Sequence, residues 1–139
     1  MRALLALTAG LLVGVTMIEA ISAGLLVLIP DSMLRVEATD GFGEALVWPL
    51  LPIPALIWMT GGLIGSMMTA ALAPRIGWGL CAGVLLALPP LVLVGLTTPG
   101  NPMALLASAL PIAGSAAGTA LVVRLQDEKA TVSTNDQAV

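Results

Sequence analysis

Residues 3–29 read ALLALTAGLLVGVTMIEAISAGLLVLI, and Glu19 is the one charge among them. A helix needs about 20 mostly apolar residues to cross the hydrocarbon core of a bilayer. This run is long enough. It is also much longer than the roughly 7–15 residues of a signal-peptide apolar region, so it reads as a retained membrane helix. Backbone groups in lipid must bond within their own segment, and the run shows no period-two alternation, so a strand is excluded.

Working outward, three more stretches have the same character, and the spans fall at about 3–29, 50–73, 76–98 and 103–125. Pro30-Asp31-Ser32 stops the first and opens an acidic outer loop over 30–49. Pro74-Arg75 makes the second connection very short. Pro99-Gly100-Asn101-Pro102 is a strong turn signal, with a proline suited to opening the fourth helix. Residues 45–73 would reach roughly 44 Å as one straight helix at 1.5 Å per residue. Pro49, Pro52 and Pro54 therefore predict an irregular start, with regular helix from about Pro54. Pro89-Pro90 and Pro111 predict bends in helices three and four. Residues 126–139 are polar and predict a disordered tail. The fold class that follows is all-α: a polytopic membrane protein, an up-down four-helix transmembrane bundle over residues 1–125.

Composition agrees. The chain has 139 residues, 58% hydrophobic and 9% charged, with mean hydropathy +1.06. Soluble domains run near 45–50% apolar and about 25% charged, so a water-soluble globule is excluded. The net charge is −3 and the basic residues form no cluster, which argues against nucleic acid. There is no histidine and one cysteine, Cys81. That removes an intrachain disulfide, a Cys/His zinc site and histidine-dependent nucleophilic catalysis. No glycine-rich loop ends in Lys-Ser or Lys-Thr, so a P-loop is absent. No metal, no cofactor and no enzymatic activity are expected, and Cys81 reads as an inert buried thiol. Arg2, Arg75, Arg124 and Lys129 fall on one side of an up-down bundle and Arg35 on the other, so the positive-inside rule places both termini in the cytoplasm.

Small residues recur at helical spacing. Gly10 and Gly14, Gly79 and Gly83, and Gly114 and Gly118 are Gly-x-x-x-Gly pairs; Gly61, Gly65, Thr69 and Ala73 repeat every four residues. Such ladders let backbones approach closely in lipid. They serve packing inside the chain, or one of them faces a second copy or another subunit, the 61–73 ladder being the best candidate. A gapless echo pairs Gly65-Ser66, Ala71-Leu72 and Arg75 with Gly114-Ser115, Ala120-Leu121 and Arg124, as a duplicated helix pair would.

Glu19 is the most informative residue. A charge at mid-bilayer costs about 3 kcal/mol on insertion scales. At 100° per residue, Thr8, Thr16 and Ser22 share its side of the helix, and Gly10, Gly14 and Gly24 lie on the other. Both faces are expected to turn toward protein. Glu19, with Thr16 and Ser22, is then a neutral carboxyl bonded to a hydroxyl, a proton or cation site, or a group paired with a positive charge from another subunit. Intramembrane hydroxyls such as Ser66, Thr69 and Ser115 are expected to bond one turn back along their own helices.

Four helices and the lone acid in Met17-Ile18-Glu19-Ala20 resemble the layout of the small multidrug resistance transporters. That resemblance implies a dimer in which Glu19 exchanges protons for a cationic aromatic substrate, although the membrane tyrosines of that family have no counterpart here. Glu19, Pro30, Trp58, Gly61, Gly65 and Ala73-Pro74-Arg75 also resemble a group of uncharacterised small bacterial four-helix membrane proteins. This second resemblance implies the fold and a bacterial inner-membrane location, and no activity. The expected function is that of a small non-enzymatic membrane protein, a homo-oligomer or an accessory subunit of a larger complex. The alternative is a small transporter coupled to protonation of Glu19.

Overall fold

The computed structural model describes residues 1–28, 52–73, 75–97, 100 and 102–136. The expected outer loop, with Trp48 and Arg35, lies outside these residues. Among the described residues there are five helices and no strand: α1 Arg2–Leu28, α2 Pro52–Leu72, α3 Trp78–Thr97, α4 Pro102–Ser108 and α5 Leu110–Asp136. Four helical stretches are long and apolar enough to cross a membrane, α4 and α5 forming the last of them together.

Local sequence accounts for the breaks. The fourth stretch is interrupted at Ala109 rather than bent. Pro111 has no N–H, so the turn before it tightens: Ala109 N–H donates to the Leu106 carbonyl at 3.2 Å and Ile112 N–H to the Ala109 carbonyl at 3.0 Å. Pro89 and Pro90, by contrast, lie inside an unbroken α3. Helix α2 begins at Pro52, slightly before the expected Pro54. The polar end differs most from expectation. Helix α5 runs on to Asp136, where a disordered tail is predicted. After Pro111 and Gly118 no helix breaker intervenes, and Gln126-Asp127-Glu128-Lys129-Ala130 are mostly good helix formers, so the helix propagates past its apolar part.

Helix α2 sits at the centre and packs against α1, α3 and α5, whereas α1 reaches α2 and α3 and makes no contact with α5. The interior is built from small side chains. Ala6, Ala55, Ala70, Ala82, Ala87, Ala104, Ser66, Thr69 and Ser115 are buried. Large apolar side chains lie outside: Leu4, Leu5, Leu12, Leu88, Val92, Leu96 and Leu106 are all exposed. A water-soluble bundle has the reverse arrangement, because burial of large apolar groups drives it together. Helices that associate in lipid gain instead from close backbone contact.

The register follows the glycines. A Cβ on Gly65 would lie 2.7 Å from the Gly10 carbonyl oxygen, and one on Gly14 would lie 3.0 Å from that of Gly61. Numbers therefore rise along α1 as they fall along α2. Leu86 of α3, itself buried, fills the seam: its Cδ1 would be 2.8 Å from a Cβ on Gly14 and 3.2 Å from one on Gly65. On the other side of α2, Gly62 lies against the Pro111 backbone, with 2.8 Å between a Gly62 Cβ and Pro111 Cα. Gly114 lies against Met59 and Leu63, and Gly118 against Leu63, Ser66 and Met67. Gly79 and Gly83 of α3 face Thr119 and Ser115 of α5.

Candidate functional site

Helix α1 presents two unlike faces. Gly10, Gly14 and Ile18 are buried against α2. On the opposite side, Leu5, Thr8, Leu12, Val15, Thr16, Glu19 and Ala23 are exposed, and Ser22 is half-buried. The expectation that both faces turn inward is thus corrected. The physical reason is the position of α1 at the edge: its glycines commit one face to α2, and α5 does not come round to cover the other. Glu19 stands seventeen residues after Arg2 and nine before Leu28, so it lies roughly 25 Å and roughly 14 Å along the helix from those ends.

Two of the hydroxyls around Glu19 have their protons engaged locally. The Thr16 hydroxyl donates to the Leu12 carbonyl at 2.8 Å and that of Thr8 to the Leu4 carbonyl at 2.9 Å. Both oxygens can still accept. Glu19 has no hydrogen-bond or ion-pair partner among the described residues. The face therefore carries the hydroxyls of Thr8, Thr16 and Ser22 and one carboxyl group.

The other hydroxyls also bond back along their helices: Thr60 to Ile57 at 2.7 Å, Ser66 to Leu63 at 2.8 Å, Thr69 to Gly65 at 2.9 Å, Ser108 to Leu105 at 2.8 Å and Ser115 to Ile112 at 2.9 Å. Thr119 is different. It is 7% exposed, and its Oγ1 is buried with no hydrogen-bond partner. A buried unmade hydrogen bond costs about 1–3 kcal/mol. Thr119→Val, which keeps the shape and removes the orphaned hydroxyl, is expected to stabilise the bundle by about 1 kcal/mol. Thermal unfolding in detergent micelles would show it as a raised midpoint.

No family model, curated protein or solved structure matches this chain. Its site is read from its own geometry.

The predicted packing residues have definite places. Gly61 and Gly65 meet α1, Gly79 and Gly83 meet α5, and Gly114 and Gly118 meet α2. The ladder on α2 is consequently covered within the chain, and the reading that it faces a second copy is corrected. Cys81 is exposed on α3, not buried; an apolar thiol gives no sequence signal that separates a lipid-facing position from a packed one. The 49-residue echo does not match the packing. Gly-x-x-x-Gly of α1 docks on Gly61, Gly65 and Thr69, and that of α3 docks on Pro111, Ser115 and Thr119. Those two triplets correspond at a shift of 50, and a one-residue slip turns a helix by 100°. The sequence reading took Pro111 only as a bend; it is also fully buried where α2 and α3 both approach its backbone.

An outward-opening groove of about 570 Å³ lies over α2, lined by Val13, Met67, Met68, Ala71, Val122 and Gln126 among others. It is mostly apolar, and Glu19 does not line it. Met67 and Met68 form part of its wall, a use that suits flexible thioether side chains. Among the described residues no three His, Cys, Asp or Glu side chains gather.

Proposed function

We propose that this chain is a small, non-enzymatic integral membrane protein that works as a homo-oligomer or as an accessory subunit of a larger membrane complex, docking through the Glu19 face of α1. One observation carries the reading: a carboxyl group without a partner among the described residues stands on the outer face of a helix apolar enough to cross a bilayer. Left in lipid it costs about 3 kcal/mol. A neighbouring helix that covers it and supplies a hydrogen bond removes much of that cost. The leucine- and valine-rich exterior supports insertion of all four stretches, since soluble monomers rarely expose so much contiguous apolar surface. The direction of the α1/α2 contacts supports an up-down path through the membrane. Arg2, Arg75 and Arg124 then mark the cytoplasmic side of a bacterial inner membrane, with both termini on that side.

Proton or cation coupling through Glu19 is the alternative; it needs a wet path to that carboxyl group, and the described groove beside α1 is mostly apolar and is not lined by Glu19. The assembly reading is tested by placing the photo-reactive residue p-benzoylphenylalanine at Ala23 or, as a control, at the exposed α3 position Val92. In native membranes the Ala23 probe is expected to give a discrete protein adduct and the Val92 probe lipid adducts alone. Lipid adducts from both positions would refute the reading.

A further inference from the structure

The groove over α2 has two walls that do not touch. Val13 of α1 lines one side, Val122 and Gln126 of α5 line the other, and Ile64, Met68 and Ala71 of α2 form the floor. The register of the bundle shows what stands at its mouth. Gly10 of α1 lies against Gly65 and Thr69, and Gly118 of α5 lies against Leu63, Ser66 and Met67, so the two glycines are at nearly the same height on α2. Arg2 is eight residues before Gly10, and Gln126 is eight residues after Gly118. Helix α1 runs against α2 and α5 runs with it, so both residues come out roughly 12 Å beyond those glycines, at the α2 end that leads to Arg75. Arg2 is also on the groove side of its helix: eleven residues separate it from Val13, which is three turns and about 20°. Arg2 and Gln126 are exposed, and neither side chain has a hydrogen-bond or ion-pair partner among the described residues. The acids that follow on α5, Asp127 and Glu128, lie about 140° and about 120° round that helix from Val122, away from the groove.

We propose that this groove holds one acyl chain of an anionic phospholipid, with the lipid phosphate on Arg2 and Gln126. The proposal rests on insertion of the four stretches in a bilayer and is independent of what covers Glu19. Size selects a chain over a helix. A helix with its side chains is about 10–12 Å across, so over the roughly 10 Å from Ile64 to Ala71 it would fill on the order of 800–1,200 Å³. The groove offers about 570 Å³, which admits a single unbranched chain. Its floor suits such a chain, because the thioether of Met68 adjusts to a flexible apolar neighbour. Polarity then sets the orientation. The apolar length lies toward the middle of the helices and the donors lie at one end, as the tail and headgroup of a phospholipid do. Charge sets the class of headgroup. A guanidinium forks onto phosphate oxygens through two N–H groups, and the Gln126 amide adds a further donor. Basic mouths between membrane helices select anionic headgroups in this way. A zwitterionic lipid would bring its own cation beside Arg2 and lose part of that attraction.

The test uses the full chain in phosphatidylcholine vesicles doped with a phosphatidylglycerol that carries a photo-reactive diazirine midway along one acyl chain, or with the matching diazirine phosphatidylcholine. Adducts are located by peptide mass spectrometry. The control position is Leu80, which is exposed on α3 at the height of Met68, next to the Gly79 that lies against Ser66 and Ala70. Phosphatidylglycerol adducts at Met68 and Ala71 are expected to exceed those at Leu80 at least five-fold, and phosphatidylcholine adducts by less than two-fold. Arg2→Gln is expected to lower the phosphatidylglycerol adducts in the groove at least five-fold. Arg124→Gln removes the same charge about 160° round α5 from Val122 and is expected to lower them less than two-fold. Arg2 and Arg124 are both exposed, so neither substitution disturbs the packing. Equal labelling by the two lipids, or equal losses from the two substitutions, overturns the proposal, because general attraction to a basic surface then accounts for the lipid. Labelling of Leu80 with no excess in the groove also overturns it, and leaves the reading of Glu19 standing. If neither Leu80 nor the groove is labelled by either lipid, the chain is not inserted, and both readings fall.

Discussion

Gly114→Val is expected to cost the bundle about 3 kcal/mol or more, at or beyond the upper end of ordinary overpacking. The reason is the kind of atom it would meet. A Cβ at Gly114 runs into the Met59 carbonyl oxygen and comes within 3.0 Å of its carbonyl carbon and 3.1 Å of the Leu63 nitrogen. These are backbone atoms of the central helix, and no rotamer change can move them aside. Helices α2 and α5 would have to separate, and Gly62 against Pro111 and Gly118 against Leu63 would lose their contacts with them. Denaturation by sodium dodecyl sulfate from dodecylmaltoside micelles gives the measurement. Gly95→Ala is the internal control, because nothing lies within 4 Å of Gly95. There alanine should gain about 0.5–1 kcal/mol from its better helix propensity. If the two variants unfold together, the close contact of α2 with α5 does not exist in the protein.

Glu19→Leu has a comparably large effect of the opposite kind on the isolated chain. In the proposed assembly it removes the polar contact of α1, whereas in the lone bundle, inserted as proposed, it removes a carboxyl group from lipid. The monomer should therefore resist unfolding at least as well as the parent while its oligomers are lost. An insertion cost near 3 kcal/mol corresponds to about two orders of magnitude in an equilibrium constant. Native mass spectrometry from mild detergent reads the oligomer, and the denaturant midpoint reads the chain. A variant that stays oligomeric, or one that loses stability as a monomer, contradicts the placement of Glu19 on an outer, partner-facing surface.

The contrast between these substitutions shows what sequence alone could supply. Hydropathy located the four helical stretches long and apolar enough to cross a membrane, because length and apolar content are properties of each segment by itself. The glycine pairs marked where helices touch, since no side chain intervenes. The angular separation of Glu19 from Gly10 and Gly14 was also legible from the 3.6-residue period. Whether the Glu19 side would be covered was not. That depends on α2 taking the centre and α1 the edge, a choice made by the fit of Pro111 against Gly62 and of Leu86 between Gly14 and Gly65. The continuation of α5 past Leu125 was illegible for a different reason. Polarity marks the end of the apolar part, and a helix continues past that end when nothing breaks it.

That continuation has a mechanical consequence. From Leu125 to Asp136 the backbone is a rod of roughly 16 Å, eleven residues at 1.5 Å each, rooted in a helix that packs against α2 and α3. Torque or tilt applied at Asp136 is transmitted to the centre of the bundle instead of being absorbed by slack chain. A reporter domain joined there through a rigid linker would act as a lever arm, and its rotational anisotropy in a membrane would follow the tumbling of the whole protein.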